Sequence, residues 1–579
     1  MERTASEIII SYIFGHTRVW LWGILTIILT TVFTMAAPWI LRQAINMLQE
    51  GVTLQKLVFY ALAIVGVTVI QGIFRFLMRQ TMIVTSRNIE YELRNDLFNH
   101  LLKLDWQYYN KMPTGDIMAR MTNDLEAVRA MVGPGIMYFT STLFTFTAAV
   151  TLMSIINIKL TLVTFIPLPF ISALTFFISR EVHKKYARIQ EQYSKITADV
   201  QENLSGIRVV KAYVQEDNAI KRFGRLNREY VRKNLDMIRI WGLFFPVIFG
   251  FAGVAVALVL WVGGNQVING QITLGDLVAF TAYLMLLMWP MAALGWVMGL
   301  YQRGMASMKR IARIFNSSPI IISPSSGAVK KDIQGKIKFK QLEFAYNGKP
   351  VLSDIDLTIA PGQTVAILGH TGSGKTSLVS LIPRLYPIKR GMLYIDDVDV
   401  NDYDLQSLRS QIGLVAQETI LFSQSIESNI TFGGNMTNLK IKDIAVLAGI
   451  DEDIENFPSG YRTILGERGI TLSGGQKQRT ALARALAISP KILILDDAFS
   501  SVDTATEEQI LHNLRKIFSA CTTLIISHRI STVKDSDYIV VLENGCIAET
   551  GNHDELIARG GLYTRLYERQ LISQELEAL

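Results

Sequence analysis

Thr364-Val-Ala-Ile-Leu368-Gly369-His-Thr-Gly372-Ser373-Gly374-Lys375-Thr376 decides how the second half of this 579-residue chain folds. A short apolar run of strand character leads directly into the pattern G-x-x-x-x-G-K-[ST], and a helical pattern follows. Glycines at 369, 372 and 374 let backbone N–H groups wrap phosphates, and the following helix presents its positive end to them. Lys375 is expected to reach the β- and γ-phosphates of a nucleotide, and the Thr376 hydroxyl to ligate Mg²⁺. Further strand-like runs at 412–415, 492–495, 523–526 and 538–542 alternate with helical patterns, so residues 336–579 read as an α/β nucleotide-binding domain. The run Lys491-Ile-Leu-Ile-Leu495 ends in Asp496-Asp497. A carboxylate at the C-terminal edge of a strand beside a phosphate loop is where a metal-holding acid belongs, which assigns Asp496 to Mg²⁺.

N-terminal to this domain the composition changes near residue 315, and 316–335, rich in Ser, Pro and Ile, reads as a linker. Half of all residues are hydrophobic, only 18% are charged and the mean hydropathy is +0.27, a combination unusual for a soluble protein. Six apolar stretches, at about 19–42, 57–78, 135–156, 160–179, 242–263 and 275–300, are each long enough to cross a hydrocarbon core of roughly 30 Å as helix. Residues 1–315 are therefore expected to be a helical membrane domain. The first stretch is too long for a signal-peptide core and is expected to remain in the mature protein. A net charge of +7 raises nucleic acid as a partner, but the basic residues are placed otherwise. Arg79, Arg87, Arg94, Lys103, Lys111, Arg120 and Arg129 fall between the second and third stretches. A denser set, including Lys184, Lys185, Lys221, Arg222, Arg232 and Lys233, falls between the fourth and fifth. The connections around Gly51, Asn157 and Asn269 hold almost none, so the long loops and both termini are expected in the cytosol. Those loops keep helical spacing, which predicts that spans two to five continue beyond the membrane as arms ending in turns at 112–116 and around 205–206. Two cysteines, Cys521 and Cys546, form neither a disulfide framework nor a metal-ligand spacing.

Leu472-Ser473-Gly474-Gly475-Gln476, followed by the basic helical run 477–484, resembles the signature of the ATP-binding cassette (ABC) transporter superfamily. The resemblance extends over essentially the whole chain and is closest to exporters in which six spans precede one cassette. It implies that residues 472–476 act in trans, on the γ-phosphate held by an opposing cassette. It further implies roles for single positions. Tyr346 resembles the aromatic that stacks on adenine, and Gln417 the glutamine that contacts Mg²⁺ and signals to the membrane part. Glu467, in Gly-Glu-Arg, resembles an exporter loop that touches the helical arms. Asp503 looks like the residue that communicates across the dimer, and His528 like the switch histidine at the γ-phosphate. Gly115 and Asp116, and Gly206, fall in segments similar to the two cytosolic turns that pass motion to the spans. ATP and Mg²⁺ are the implied ligands.

One residue departs from the family pattern. Efficient members carry glutamate after the metal-binding aspartate, where it polarises the attacking water, and this chain has Asp497. Its side chain is about 1.5 Å shorter, and a misplacement of about 1 Å costs on the order of a hundredfold in rate. The same substitution marks one subunit of heterodimeric bacterial multidrug exporters, with a slow site of its own and an intact signature that completes its partner's site. The expected partner is accordingly a second, homologous half-transporter. Membrane lipid and a small amphipathic substrate (drug or lipid) are the other expected partners, nucleic acid is not, and the expected location is a bacterial inner membrane. An importer-type half on the same scaffold and a regulatory nucleotide-sensing subunit are the alternatives. Phe244, Phe245, Met285, Met288 and Trp289 offer apolar surface that could line a substrate cavity, although packing or lipid contact is the commoner role of such residues. Pro167 and Pro169 are expected to bend the fourth span.

Overall fold

A computed structural model describes residues 3–51, 53–324, 327–432, 438–466, 469, 471–518 and 520–578. The chain divides into two compact units, Met1–Leu102 with Pro113–Ser317, and Lys103–Met112 with Ser318–Leu579.

The first unit is helical throughout. A short apolar helix, Ala5–Gly15, is opened by a capping box in which Thr4 and Glu7 satisfy each other's backbone amides. Thr17–Gln49 and the 50-residue helix Leu54–Lys103 follow. Later come the 39-residue Pro167–Ser205, then Glu216–Trp241, and finally the 42-residue Leu274–Phe315. Leu54–Lys103 and Pro167–Ser205 are both far longer than a bilayer crossing needs, and the breaks that follow them fall at 104–105 and 112–113, and at Gly206 and 213–215. The expected count of six spans is not reproduced. Among the described residues five helices are long and apolar enough to cross a membrane. In the stretch expected as the fourth span, Ile158–Phe165 and Pro167–Ser205 meet at Ile166, where Pro167 has no N–H to donate but the backbone stays helical (φ −57°, ψ −47°). The side chains of Pro169, Phe244 and Phe245 lie outside the described residues. The unit's packed centre includes Met35, Ala149, Met153, Leu160, Val259, Phe280 and Leu284. There the fully buried Tyr283 donates its hydroxyl to the Met35 carbonyl (2.9 Å). Elsewhere in the unit, Arg310 grips Asp124 with two hydrogen bonds of 2.5 and 2.8 Å.

The second unit holds two sheets. Ile337–Tyr346 (β1), Lys349–Ile359 (β2), Leu393–Ile395 (β4) and Val398–Asp399 (β5) form an antiparallel sheet in the order β2-β1-β4-β5. Thr364–Leu368 (β3), Ile412–Val415 (β6), Ile492–Asp496 (β7), Thr522–Ile526 (β8), Tyr538–Glu543 (β9) and Cys546–Gly551 (β10) form the other, ordered β10-β9-β3-β8-β7-β6. All its pairings are parallel except that of β10 with β9. A parallel sheet is covered on both faces, so its strands read as continuous apolar runs. Alternate residues of each strand serve two different cores. Ala366, Leu368, Leu493, Leu495 and Ile525 pack with helical residues such as Leu482 and Ile510. Val365, Ile367, Ile492, Ile494 and Leu524 pack against Leu378, Ile382 and the antiparallel sheet.

Candidate nucleotide site

Register brings the sequence-predicted residues to one edge. Ile367 on β3 is level with Ile526 on β8, Asp496 on β7 with the same Ile526, and Val415 on β6 with Leu495. The segments that follow these strands therefore emerge side by side at the C-terminal edge of the sheet, and they carry Gly369–Thr376, Asp496-Asp497, His528 and Gln417. This is the edge at which open α/β sheets hold ligands.

The loop 369–374 needs its glycines. Gly369 has φ +148° and Gly374 φ +100°, and a Cβ at either would collide, with the Leu542 carbonyl or with the Leu352 side chain. Lys375 is buried and donates to the carbonyls of Gly369 (2.8 Å) and His370 (3.0 Å), so its ammonium is folded back into the loop that it would share with phosphate. Burial pushes this lysine's pKa down, against the pull of Asp496 and Asp497. The Ser373 hydroxyl is buried without a hydrogen-bond partner in this chain. An orphaned donor inside a glycine loop is the fit expected for a phosphate oxygen.

Asp496 is buried and accepts from the Thr376 hydroxyl at 3.2 Å. Burial raises its carboxyl pKa, and Asp497 adds to the rise against Thr376, Lys375 and His528. Two hard oxygen donors this close, one of them a carboxylate short of positive charge, suit a small divalent cation. Among the described residues no group of three or more His, Cys, Asp or Glu could hold a metal ion. Asp497 sits in the left-handed region at φ +53°, its N–H donating to the Ile526 carbonyl at 2.9 Å. Gln417 and His528 are exposed. Tyr346, at the end of β1, donates to the Ser377 hydroxyl at 3.1 Å, on the first turn of the helix Lys375–Leu381.

The signature segment is built on a different principle. Ser473 caps the 14-residue helix Gly474–Ala487 through a capping box with Gln476. A Cβ at Gly475 would lie 2.8 Å from the Ser501 carbonyl, so the two glycines let the helix start rest on 501–502. Leu472 is buried in the core beneath. Its hydrogen bonds tie this helix to residues 497–501 rather than to 369–376. Gln478, which sequence reasoning did not single out, donates to the Ser500 hydroxyl (2.8 Å) and the Asp497 carbonyl (3.3 Å) and accepts from the Ser501 N–H (2.9 Å). Its only sequence signal is its place two residues past the signature. Asp503 accepts from the Thr506 N–H at 2.9 Å, and that amide holds its carboxyl below the usual range. In the first unit Asp116 accepts from Arg120 at 2.6 Å beside Gly115, and Gly206 ends Pro167–Ser205. Glu467 lies outside the described residues.

Comparison with known proteins adds a family to this geometry. The family described as ABC transporter transmembrane region matches residues 20–291, and that described as ABC transporter matches residues 352–500. The multidrug resistance-like ATP-binding protein MdlA of Escherichia coli is 34% identical over 92% of each chain. The ATP-dependent lipid A-core flippase of Syntrophus aciditrophicus is 35% identical over 89% of this chain and 86% of its own. Among solved structures, a bacterial Atm1-family ABC exporter with ATP bound superposes with a TM-score of 0.79 at 27% identity, over 96% of this chain and 98% of that one.

Proposed function

The chain belongs to the ABC transporter family, and on that premise we propose that it is one half of an asymmetric two-chain pump exporting amphipathic small molecules, drugs or lipids. It is a multi-pass integral membrane protein with an ATPase coupled to transport. The observation that carries the asymmetric reading is Asp497, standing where a longer carboxylate is needed beside a complete phosphate loop and a complete signature. The relatives' names supply the substrate class, a drug-resistance protein and a lipid flippase.

In this reading each ATP lies between the phosphate loop of one chain and the signature of the other. Lys375 turns from its present carbonyl partners to the phosphates, the orphaned Ser373 hydroxyl gains a partner there, and Tyr346 takes the adenine. Mg²⁺ bound with the nucleotide neutralises phosphoryl charge, and Thr376, Asp496 and Gln417 would hold it. Asp497 is the base facing the attacking water, too short to polarise it well, and His528 faces the γ-phosphate. Ser473 and the start of its helix complete the partner's competent site. ATP favours the closed pair because it binds that state better than the open one, and hydrolysis at the partner's site resets the cycle. A second chain also has somewhere to pack, since no residue in the apolar window of Leu54–Lys103 is buried in this one. The basic long loops support a bacterial inner-membrane location with both termini and the nucleotide-binding unit on the cytosolic side.

Native mass spectrometry of the tagged chain from its source membrane tests the assembly. One copy of this chain with one different chain of similar mass supports the proposal, and two identical chains sink it. Inside-out vesicles of that complex should accumulate an amphipathic dye or labelled lipid only with ATP. ATP-independent or absent accumulation of every such probe removes the export reading.

A further inference from the structure

The short helix Trp106–Lys111 is covalently continuous with the 50-residue helix Leu54–Lys103, yet it belongs to the nucleotide-binding unit. It is held there at both ends. The Asp105 carboxylate accepts the backbone N–H groups of Ile320 (2.5 Å) and Ile321 (3.1 Å), the chain that follows the last long helix. Asn110 donates its side-chain amide to the Tyr386 hydroxyl at 3.3 Å. Tyr386 is no isolated surface ring. It lies nearly buried, five residues past the end of Lys375–Leu381, the helix that begins in the phosphate loop. Its ring meets Tyr346 edge-on at 5.1 Å and Phe344 at 5.7 Å, while Phe344 meets Tyr346 at 4.8 Å. Tyr346 in turn bonds Ser377 on the first turn of the phosphate-loop helix. Edge-to-face rings are directional contacts, so displacing one repositions its neighbours.

We propose that Tyr386 is a positioning residue that relays occupancy of the adenine face of Tyr346 to Asn110, and so to the helix Trp106–Lys111 and the span it continues. The proposal rests on the ATP-binding reading of Tyr346 given above. A base stacked on Tyr346 fixes that ring, the edge-on contact fixes Tyr386, and the Tyr386 hydroxyl then holds Asn110. The phosphates would be held by loop 369–374 and Lys375 rather than by these rings, so the relay reports the base and not the triphosphate. Coupling of this kind is reciprocal: whatever factor the base adds to docking of 104–112, docking adds to affinity for the base.

The test uses the intact complex in lipid nanodiscs, with hydrogen exchange read on peptides of this chain covering 104–112. The non-hydrolysable analogue AMP-PNP should slow exchange there by about fivefold, the size of one neutral hydrogen bond. Inorganic tripolyphosphate, which fills the loop but has no base, should not. Tyr386→Phe keeps the ring and removes only the hydroxyl, and Asn110→Ala removes the exposed side of the same bond. Each should abolish the AMP-PNP protection and weaken AMP-PNP binding by the same factor of about five. Equal protection by tripolyphosphate, or protection that survives both substitutions, overturns the relay while leaving the ATP site intact. An unmodified complex that AMP-PNP does not stabilise against heat overturns the ATP-binding reading and the relay with it.

Discussion

Asp497 combines a short side chain with a left-handed backbone, φ +53°, which Asp tolerates better than most residues. Replacing it by Glu restores reach at the site but places a longer side chain on that backbone. Asp497→Glu is therefore expected to raise ATP turnover at this chain's site by ten- to a hundredfold and to cost up to about 1 kcal/mol of stability. Turnover is measured in the complex with the partner's own site silenced, and stability by thermal unfolding. An unchanged rate would mean that the backbone already compensates for the missing methylene. Lys375→Ala removes the only cation folded into loop 369–374 and should weaken ATP binding at this site at least tenfold, read by equilibrium binding of a fluorescent ATP analogue. Much of this site could be read from sequence because its parts are loops at strand ends, and strand ends are marked by the apolar runs before them. Gln478, Ser377 and Tyr386 could not. Their roles come from partners far along the chain, Ser501, Tyr346 and Asn110, and no local spacing records such meetings.

Elements whose pattern survives without interruption were legible, and interrupted ones were not. The five parallel strands are apolar runs with no bulge, whereas β1 slips register between Phe339 and Leu342 with Gln341 at φ +44°, which breaks its alternation. The long apolar stretch at 160–179 has the composition of a span, and Pro167 removes one hydrogen bond from it at Ile166 while the backbone stays helical, an interruption that composition does not record. Two element-scale outcomes follow from close packing. Gly304 on Leu274–Phe315 lies so near Met131 that a Cβ would collide with that residue's own Cβ, while the space around Gly295 on the same helix is open. Gly304→Leu should destabilise the membrane unit by about 1–3 kcal/mol, seen as a lower melting temperature in detergent, with Gly295→Ala as the tolerated control. At the signature helix, Ser473→Ala removes a capping box worth about 1 kcal/mol. ATP turnover of the whole complex should fall although this chain still binds ATP, because the loss is felt at the partner's site. Normal turnover with this variant would argue that residues 472–476 do not act in trans.

At the scale of the molecule the open point is which side of the membrane each unit faces, and the chain carries its own reporter. Cys546 is exposed and Cys521 is buried, with burial pushing the Cys521 thiol up and away from its reactive form. Both lie in the unit that carries the nucleotide site. By the positive-inside rule, the basic residues between the second and third stretches, and between the fourth and fifth, predict that this unit faces the cytosol. A maleimide that cannot cross lipid should therefore leave this chain unlabelled in sealed right-side-out vesicles. In inside-out vesicles it should add one label, at Cys546, located by peptide mass. Cys546→Ser should remove the label there, since the buried thiol does not compete without unfolding. ATP added to the outside has to reach the same unit, so ATP-driven uptake and Cys546 labelling should appear together in the inside-out preparation and in no other. Labelling of right-side-out vesicles would reverse the orientation, and the basic loops would then need an external partner to explain their charge.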